Sequence, residues 1–330
     1  MKYRIFGTTA LNVSEIGFGA WAIGGSAVVG NTAIGWGPSD DGESVTAIKA
    51  ALDAGINFFD TADFYGMGHS EKLLGKEIGM MKDIIIATKV GHRVINDTIQ
   101  LDYSKAYILE ACEKSLTRLK RDTIDFYQLH SARLNHFENE ECVAAMEQLV
   151  QEGKIRFWGL SLNTFQPASE AAYLMSRNKG HGFQLVFNLV NQRALPVIKD
   201  AHQNGLGIIA RMPLQFGLLT GTMLNDKAFP TDDHRHFRLN HDIIKSTNEI
   251  LNKKVWALCD KYSINKTSLA LSFILSVKGI STVIPGIRTA KQAMENTSGI
   301  VQLEEQDIEF LISLYDSDWS VLVEEMEKMG

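Results

Sequence analysis

The chain has 330 residues, and its 33 Lys and Arg against 39 Asp and Glu give a formal net charge of −6. Hydrophobic residues make up 45% of the chain, enough to bury a core, and this excludes disorder for most of its length. The mild acidity argues against a nucleic-acid-binding surface, which requires clustered Lys and Arg.

No apolar run reaches the length of about 18 residues that a membrane-spanning helix needs, so no membrane contact is expected. The first residues lack the apolar segment and cleavage site of a secretory signal. Cys112, Cys142 and Cys259 are few and widely spaced, which is typical of a reducing compartment without a disulfide framework or cysteine metal site. These features predict a cytoplasmic enzyme or binding protein.

Short apolar runs alternate with helical patterns along most of the chain. The runs are apolar at nearly every position, as strands buried on both faces are. Eight strands alternating with helices predict a closed (β/α)8 TIM barrel, and a doubly wound sheet is the structural alternative. The predicted strands are Glu15–Gly19, Ile56–Asp60, Ile84–Val90, Asp125–His130, Ile155–Ser161, Phe183–Asn188, Leu206–Met212 and Thr282–Pro285.

The remaining segments complete a single domain over residues 1–330, because no Pro- or Ser-rich linker separates a second one. An N-terminal β-hairpin is predicted from Lys2–Phe6 and Asn12–Ile16, and two extra C-terminal helices from Glu304–Asp316 and Trp319–Lys328. Two long loops follow the first and seventh predicted strands, and long loops in compact domains are usually functional or disordered. The clearest helices between strands are Glu43–Asp53, Ser104–Leu119 and Asn139–Gln151, further helices start near Pro167 and Pro196, and the long loops are Ala22–Gly42 and Gln215–Asp242.

Ionisable side chains end three successive predicted strands, namely Asp60, Lys89 and His130. In a barrel they converge on one mouth, and burying Asp60 and Lys89 unpaired costs several kcal/mol each, so we expect them to face each other. Tyr65 follows on the loop over this mouth, where an ammonium lowers a phenol pKa from about 10 and makes it a proton donor near neutral pH. A structural ion pair is the alternative for Asp60 and Lys89, but four such residues together indicate a site.

These residues lie in runs that resemble the blocks of the aldo-keto reductase family. The run GINFFDTADFYGMGHSEKLLG at 55–75 is followed in order by ATKVG at 87–91, YQLH at 127–130, GKIRFWGLS at 153–161 and VIPGIR at 283–288. The resemblance implies a (β/α)8 barrel that reduces carbonyls with NAD(P)H or oxidises alcohols in reverse. It places the family's catalytic tetrad on Asp60, Tyr65, Lys89 and His130, with Tyr65 as the proton donor.

No glycine-rich dinucleotide fingerprint opens a helix after a strand, so a nicotinamide cofactor must be held in another way. The resemblance places Ser161 and Gln184 on the carboxamide, with Asn163 sharing that role although Leu162 intervenes. It places Arg211 where an aromatic ring usually stacks on the nicotinamide; an ion-pair role at the mouth is the alternative. The other implied cofactor residues are Trp21, Asp60, Met212, Pro213, Leu214, Gly217, Leu219, Pro285, Gly286, Ile287, Arg288, Gln292 and Asn296.

Arg288 precedes a helix predicted to begin near Thr289, and helix N-termini favour anions. By the resemblance, Arg288 is the candidate contact for an adenosine 2′-phosphate, ahead of Lys291, and this favours NADP(H) over NAD(H). A solvated arginine at a helix start is the alternative.

Three weaker features complete the predictions. The segment Asp232–His241 holds three histidines, but their spacing fits no closed zinc site, so we expect a covering loop and no metal. Trp21 and Trp36 are expected near the mouth, as lining of a substrate pocket, and a loop anchor is the equal alternative for Trp36. His69, His92 and His181 are interpreted as structural or surface residues.

The leading hypothesis is an NADP(H)-dependent reductase of aldehydes or ketones, sugars included. The alternatives are an NAD(P)+-dependent sugar or alcohol dehydrogenase and an NADPH-binding regulatory or redox-sensing protein with slow turnover. A barrel aldolase with a Schiff-base Lys89 is disfavoured by the adjacent Asp60–Tyr65 motif. Sequence leaves the small-molecule substrate, the direction of reaction and the oligomeric state open.

Overall fold

The computed structural model of the chain describes residues 1–30, 32–35, 37–230, 233 and 235–329. Its centre is a sheet of eight parallel strands in which each strand pairs with the next along the chain. The strands are β1 (Phe18–Gly19), β2 (Phe58–Asp60), β3 (Ile85–Val90), β4 (Ile124–His130), β5 (Ile155–Ser161), β6 (Gly182–Val186), β7 (Gly207–Arg211) and β8 (Thr282–Ile284).

Two parallel bridges, Ile16 to Val283 and Gly19 to Gly286, join the first strand region to the last. The sheet therefore closes, which confirms the predicted (β/α)8 barrel and excludes the open doubly wound sheet. Each observed strand overlaps its predicted run; β5 has the predicted bounds, and the others differ by one to three residues at the ends.

Helices lie between the strands and contact one another around the barrel, with α10 against α1 where the ring closes. Asp40 accepts a hydrogen bond from the Glu43 backbone at the start of α1, as a helix N-cap does. The helices are α1 (Asp41–Asp53), α2 (His69–Glu77), α3 (Lys105–Leu119), α4 (Glu141–Gln151), α5 (Ala168–Ser176), α6 (Leu195–Gln203), α7 (His241–Ile250), α8 (Ala257–Tyr262), α9 (Lys266–Ser276), α10 (Ala290–Thr297), α11 (Glu305–Leu314) and α12 (Ser320–Lys328).

The N-terminal hairpin, Tyr3–Ile5 paired with Asn12–Ser14, forms as predicted. Phe6 follows its first strand, is fully buried and meets the ring of Phe126 with centroids 4.9 Å apart. A Cβ atom at Gly207, the first residue of β7, would lie 2.4 Å from the Phe6 ring, so only glycine admits this side chain. Phe6 thus fills the amino end of the barrel and leaves the carboxyl end as the mouth.

Two further hairpins were not predicted. One pairs Ala27–Val29 with Thr32–Ile34 inside the long loop after β1, and the other pairs His92–Ile95 with Thr98–Leu101 directly after β3. The second turns at Asn96 and Asp97, whose φ angles of 49° and 54° are those of a tight type I′ turn. This hairpin brings His92 to the mouth of the barrel.

The two predicted tail helices are present as α11 and α12, joined through a π-helical turn at Tyr315–Trp319. Among the described residues, no helix combines the length and the apolar character needed to span a membrane.

Candidate active site

The carboxyl ends of β2, β3 and β4 bring Asp60, Lys89 and His130 together, and Tyr65 lies on the loop after β2. The Lys89 ammonium is fully buried and donates to Asp60 Oδ2 at 2.6 Å and to the Thr61 carbonyl at 2.7 Å. Its third contact is the Tyr65 hydroxyl at 3.2 Å. Asp60 and Lys89 therefore face each other as expected, and the ammonium links the carboxylate to the phenol.

The second carboxylate oxygen of Asp60 is held by two buried amides. Gln184 Nε2 donates to Oδ1 at 2.7 Å and Gln128 Nε2 at 3.1 Å. Sequence reasoning missed Gln128, although it lies two positions before His130 and alternate residues of a strand share a face. The two amides fix the Asp60 carboxylate, and through it the position of Lys89.

The electrostatics of Tyr65 differ from the expectation. Burial raises the pKa of Tyr65 above its ordinary value, and the nearby charge of Lys89 opposes this only in part because Asp60 offsets it. The predicted lowering of the Tyr65 pKa is therefore wrong. The phenol keeps its proton throughout the neutral range, which is the state that a proton donor requires.

Lys89 is a firm cation in this arrangement. Burial alone would lower the pKa of Lys89, but the charge of Asp60 and the hydrogen bonds to Asp60 and Tyr65 outweigh it and raise that pKa. An ammonium has no lone pair with which to attack a carbonyl, and this further disfavours a Schiff-base role.

His130 completes the group. Its ring lies 6.0 Å from the Tyr65 ring, nearly perpendicular to it. Burial, with smaller effects from the neighbouring His92, Lys89 and Arg211, holds the pKa of His130 well below 6.5. The imidazole is therefore neutral at neutral pH, with one nitrogen able to donate a hydrogen bond and the other able to accept one.

His92 was interpreted as a structural or surface residue, and the structure places it beside His130. The hairpin after β3 carries it to the mouth, where its ring centroid lies 4.3 Å from that of His130 and 5.1 Å from that of Phe64. Burial lowers the pKa of His92 to about 4. The hairpin turn was the signal that could have located this residue beside the mouth.

Trp21 and Arg211 flank the same mouth. The Trp21 ring stacks on Tyr65 at 5.7 Å with planes 10° apart. Arg211 ends β7 and donates to the Leu162 carbonyl at 3.2 Å and to Thr164 Oγ1 at 3.0 Å. Within the described part of the chain, no carboxylate lies in ion-pair contact with Arg211.

Of the three residues expected at a nicotinamide carboxamide, Ser161 and Gln184 are adjacent and the Asn163 side chain is bound in a local turn. Ser161 and Gln184 are paired in register on β5 and β6, and both are buried. Asn163 instead turns its Oδ1 to the Phe165 and Gln166 backbone amides, at 2.9 and 2.8 Å. The Asn163 carbonyl oxygen is thus already used in a local turn.

The loop after β7 is tied to the segment that follows β6 by a residue that the sequence did not single out. Asn188 Nδ2 donates to the Met212 carbonyl at 2.9 Å and to Gln215 Oε1 at 2.8 Å. Met212 and Gln215 adopt left-handed φ angles of 53° and 43°, which cost energy and are common at ligand sites. This loop carries the expected cofactor positions Met212, Pro213, Leu214, Gly217 and Leu219, and the expected positions after β8 are Pro285, Gly286 and Ile287.

The third expected cofactor segment surrounds the start of α10. Thr289 caps this helix, and Gln292 Oε1 accepts from the Arg288 backbone amide at 2.8 Å. The Arg288 guanidinium contacts the Pro38 carbonyl and lies 3.9 Å from Glu43. Asn296 is 3% exposed, and its Nδ2 has no hydrogen-bond partner among the described residues. This orphaned donor fits an acceptor on a bound nucleotide.

The histidine-rich loop uses its side chains locally. His236 Nδ1 lies 2.8 Å from the Phe229 carbonyl, and His241 Nδ1 lies 2.9 Å from that of Asn225. In the portion of the chain that the structure describes, no group of three or more His, Cys, Asp or Glu is arranged to hold a metal ion. Asp232, His234 and Trp36 lie outside the described residues.

The fold is a closed (β/α)8 barrel, and its mouth joins a protonated phenol, a buried ammonium and a neutral imidazole. Together these features define a barrel enzyme. Residues 15–316 match the sequence model of the Aldo/keto reductase family, and the chain belongs to that family. Members of the family are oxidoreductases that use nicotinamide cofactors, so the chain is an oxidoreductase.

Two relatives and one solved structure match it over most of their length. The uncharacterized oxidoreductase YqkF of Bacillus subtilis is 31% identical over 321 residues, covering 95% of this chain and 96% of the relative. L-galactose dehydrogenase of Arabidopsis thaliana is 29% identical over 315 residues, covering 92% and 89%. The solved structure of glycerol dehydrogenase AKR11B4 from Gluconobacter oxydans has a TM-score of 0.80 at 26% identity and 96% coverage of both chains.

Proposed function

We propose that the chain is an NADP(H)-dependent reductase of aldehydes and ketones, sugars included, and that residues 1–330 act as one domain. The observation that carries this proposal is the buried network in which Lys89 joins Asp60 to the Tyr65 hydroxyl. That network presents a protonated phenol beside a neutral imidazole, which suits the protonation of an alkoxide.

The reduction divides between cofactor and protein. The hydride for the carbonyl carbon would come from a bound nicotinamide cofactor, held by the residues named below. The carbonyl oxygen sits between the Tyr65 hydroxyl and the His130 imidazole, and Tyr65 gives its proton to the oxygen as charge develops there. The Lys89 ammonium stabilises the phenolate left on Tyr65, and Asp60 keeps Lys89 in place. Hydride and proton together convert the carbonyl to the alcohol.

The residues present fit a nicotinamide dinucleotide. Ser161 and Gln184 would hold the carboxamide, because they are neighbours in register at the mouth. Asn296 would contact the adenosine, since its amide donor lacks a partner among the described residues. Further contacts would come from Trp21 at the mouth, from Gln292, and from the segments after β7 and β8. Asn163 would contribute only its amide nitrogen, because its oxygen is bound locally.

Arg211 favours the reductive direction. Its guanidinium ends β7 and is held by the Leu162 carbonyl and Thr164, with no ion-pair carboxylate among the residues described. A positive charge beside the nicotinamide disfavours the oxidised, cationic ring relative to the reduced, neutral one. Oxidation of sugars or alcohols, as in the names of two relatives, uses the same site in reverse.

The deciding experiment follows the absorbance of reduced nicotinamide with a panel of aldehydes, ketones and sugars, using NADPH and NADH in parallel. We expect turnover of carbonyls with NADPH. Tight NADPH binding without turnover of any carbonyl or alcohol would instead support the regulatory alternative. Turnover with NADP+ and alcohols alone would support the dehydrogenase alternative.

Arg288→Ala is expected to weaken NADPH binding by about 10- to 150-fold, because a charge-assisted contact contributes about 1.5–3 kcal/mol. NADH lacks the 2′-phosphate and should lose little affinity. Fluorescence titration of both cofactors gives the two dissociation constants. Lys291→Ala is the control, since Lys291 is 81% exposed and faces Glu295. Equal losses for NADPH and NADH in Arg288→Ala would remove the phosphate role.

The pH profile of kcat/KM should show no histidine protonation between about pH 7.5 and 5.5. The pKa values of His130 and His92 both lie below 6.5, so the neutral forms persist as the pH falls through that value. Protonation of His92 begins only as the pH approaches its pKa of about 4. Initial rates at constant ionic strength test this, and a midpoint near 6.5 would contradict it.

A further inference from the structure

His92 is a second imidazole at the mouth that the reduction described above does not use. Its ring meets the His130 ring at 70° with centroids 4.3 Å apart, and Phe64 lies on another side of it. The Nδ1 atoms of His92 and His130 are both buried and have no hydrogen-bond partner among the described residues. Two touching imidazoles, each with an unsatisfied nitrogen, carry hydrogen-bonding capacity that the described residues do not fill.

The position of His92 is built into the fold. Gly91 turns the chain out of β3 with a φ of 137°, and a Cβ there would lie 2.3 Å from the Tyr103 ring. Tyr107 donates to the His92 carbonyl at 3.2 Å, and Tyr103 donates to the His130 carbonyl. Two tyrosines close together in sequence therefore hold the backbones of both histidines, which fixes where the two side chains leave the chain.

The chemistry of the pair suits an uncharged polar group. Burial keeps the imidazole of His92 neutral, with its pKa lowered to about 4, so it offers one donor and one acceptor and no charge. A hydroxyl group likewise donates once and accepts, and is the natural partner of such a ring. An anionic substituent would find no positive charge on either histidine.

We propose that His92 binds a hydroxyl group on the carbon next to the reacting carbonyl, so that the preferred substrates are α-hydroxy aldehydes and α-hydroxy ketones. This rests on the function proposed above, which places the carbonyl oxygen at Tyr65 and His130. The two rings touch edge to face with centroids 4.3 Å apart, and the oxygens of adjacent carbons also lie close together, so neighbouring oxygens of one substrate suit two neighbouring imidazoles. His92 is then a specificity residue, while His130 stays with the reacting oxygen.

The expected selectivity follows from the cost of an unsatisfied buried group. A substrate without the hydroxyl leaves the His92 ring desolvated and unpaired, which costs about 1–3 kcal/mol. This corresponds to roughly a 5- to 150-fold preference in kcat/KM for the hydroxylated member of a matched pair.

The test compares lactaldehyde with propanal, which have the same carbon chain and differ by the hydroxyl group. With NADPH, the wild-type protein should prefer lactaldehyde. His92→Phe preserves an aromatic edge against His130 and Phe64 and should abolish the preference, mainly through the KM for lactaldehyde. His92→Gln retains a donor and an acceptor and should restore part of it. The control is His181→Phe, because His181 makes a similar edge contact with Phe157 at 5.1 Å before β6, at the other end of the barrel, and should keep the wild-type ratio.

A binding measurement keeps this proposal separate from the proposed function. Propylene glycol and n-propanol are titrated into the complex with NADP+ and followed by tryptophan fluorescence, which needs no turnover. The glycol should bind the wild-type protein more tightly, and His92→Phe should bind the two alcohols equally. An unchanged ratio in His92→Phe, in either assay, overturns the role of His92 while NADPH-dependent reduction of propanal still supports the proposed function. Absence of turnover with a retained glycol preference would overturn the function and leave the His92 site standing.

Discussion

Tyr65→Phe is expected to lower kcat/KM for carbonyl reduction by about 100- to 10,000-fold, the range that a positioned general acid contributes. The substitution removes the hydroxyl that Lys89 contacts at 3.2 Å, while Lys89 keeps its bonds to Asp60 and Thr61. The phenyl ring can still stack on Trp21. The dissociation constant of NADPH should therefore change little. Initial rates and a fluorescence titration on the same preparation measure both quantities.

The matched control for Tyr65→Phe is Tyr127→Phe in the same barrel. Tyr127 is fully buried on β4, and its hydroxyl has no hydrogen-bond partner among the described residues. Removing that hydroxyl should leave catalysis intact and the fold at least as stable. Near wild-type kcat/KM in Tyr65→Phe would refute its assignment as proton donor.

The sequence predicted the barrel and the convergence of the polar residues at the ends of its strands for a simple reason. Continuous apolar runs identify strands buried on both faces, and polar residues at their carboxyl ends must meet at one mouth. Asp60, Lys89 and His130 needed no further information. Gln128 was missed because a single amide inside an apolar strand gives no signal of its partner, which here is a carboxylate 68 positions away.

The sequence could not provide the sign of the Tyr65 pKa shift. The presence of Lys89 suggested a lowered pKa, but the outcome depends on how deeply the phenol is buried and on how far Asp60 offsets the ammonium. Both are properties of the packed mouth. The position of His92 beside His130 could not be predicted for a similar reason, since it depends on a hairpin that carries the residue to the mouth.

For the predicted cofactor contacts, the sequence also could not show which side-chain atoms are already hydrogen-bonded within the protein. The sequence placed Ser161 and Gln184 on adjacent predicted strands, and the observed register brings the two residues side by side. The hydrogen bonds of each side chain were not evident: Gln184 Nε2 is bound to Asp60, and Asn163 Oδ1 to its own turn. A residue type in the expected place therefore identifies a candidate, while its free atoms decide what it can bind.

Among single substitutions at the site, we expect Lys89→Met to lower the free energy of unfolding most, because it breaks the buried pair of Asp60 and Lys89. Lys89→Met leaves a carboxylate that is 2% exposed with amide donors but no counter-charge. Removing one partner of a buried ion pair costs about 3–5 kcal/mol. Urea denaturation at neutral pH gives the free energy of unfolding. Lys114→Met is the control, because Lys114 and Glu110 pair at 2.6 Å with side chains 59% and 58% exposed, and such pairs contribute about 0–1 kcal/mol.

The double variant Asp60→Asn with Lys89→Met separates stability from catalysis. A neutral amide in place of the carboxylate removes the uncompensated charge, so the double variant should regain much of the stability lost in Lys89→Met. Its kcat/KM should stay as low as that of Lys89→Met, because no ammonium remains to stabilise the phenolate of Tyr65. If activity instead returned together with stability, Lys89 would be a structural partner of Asp60 with no part in proton transfer. Recovery of stability without activity would separate two roles in the pair. The Asp60 carboxylate positions the ammonium, and the Lys89 ammonium stabilises the phenolate of Tyr65.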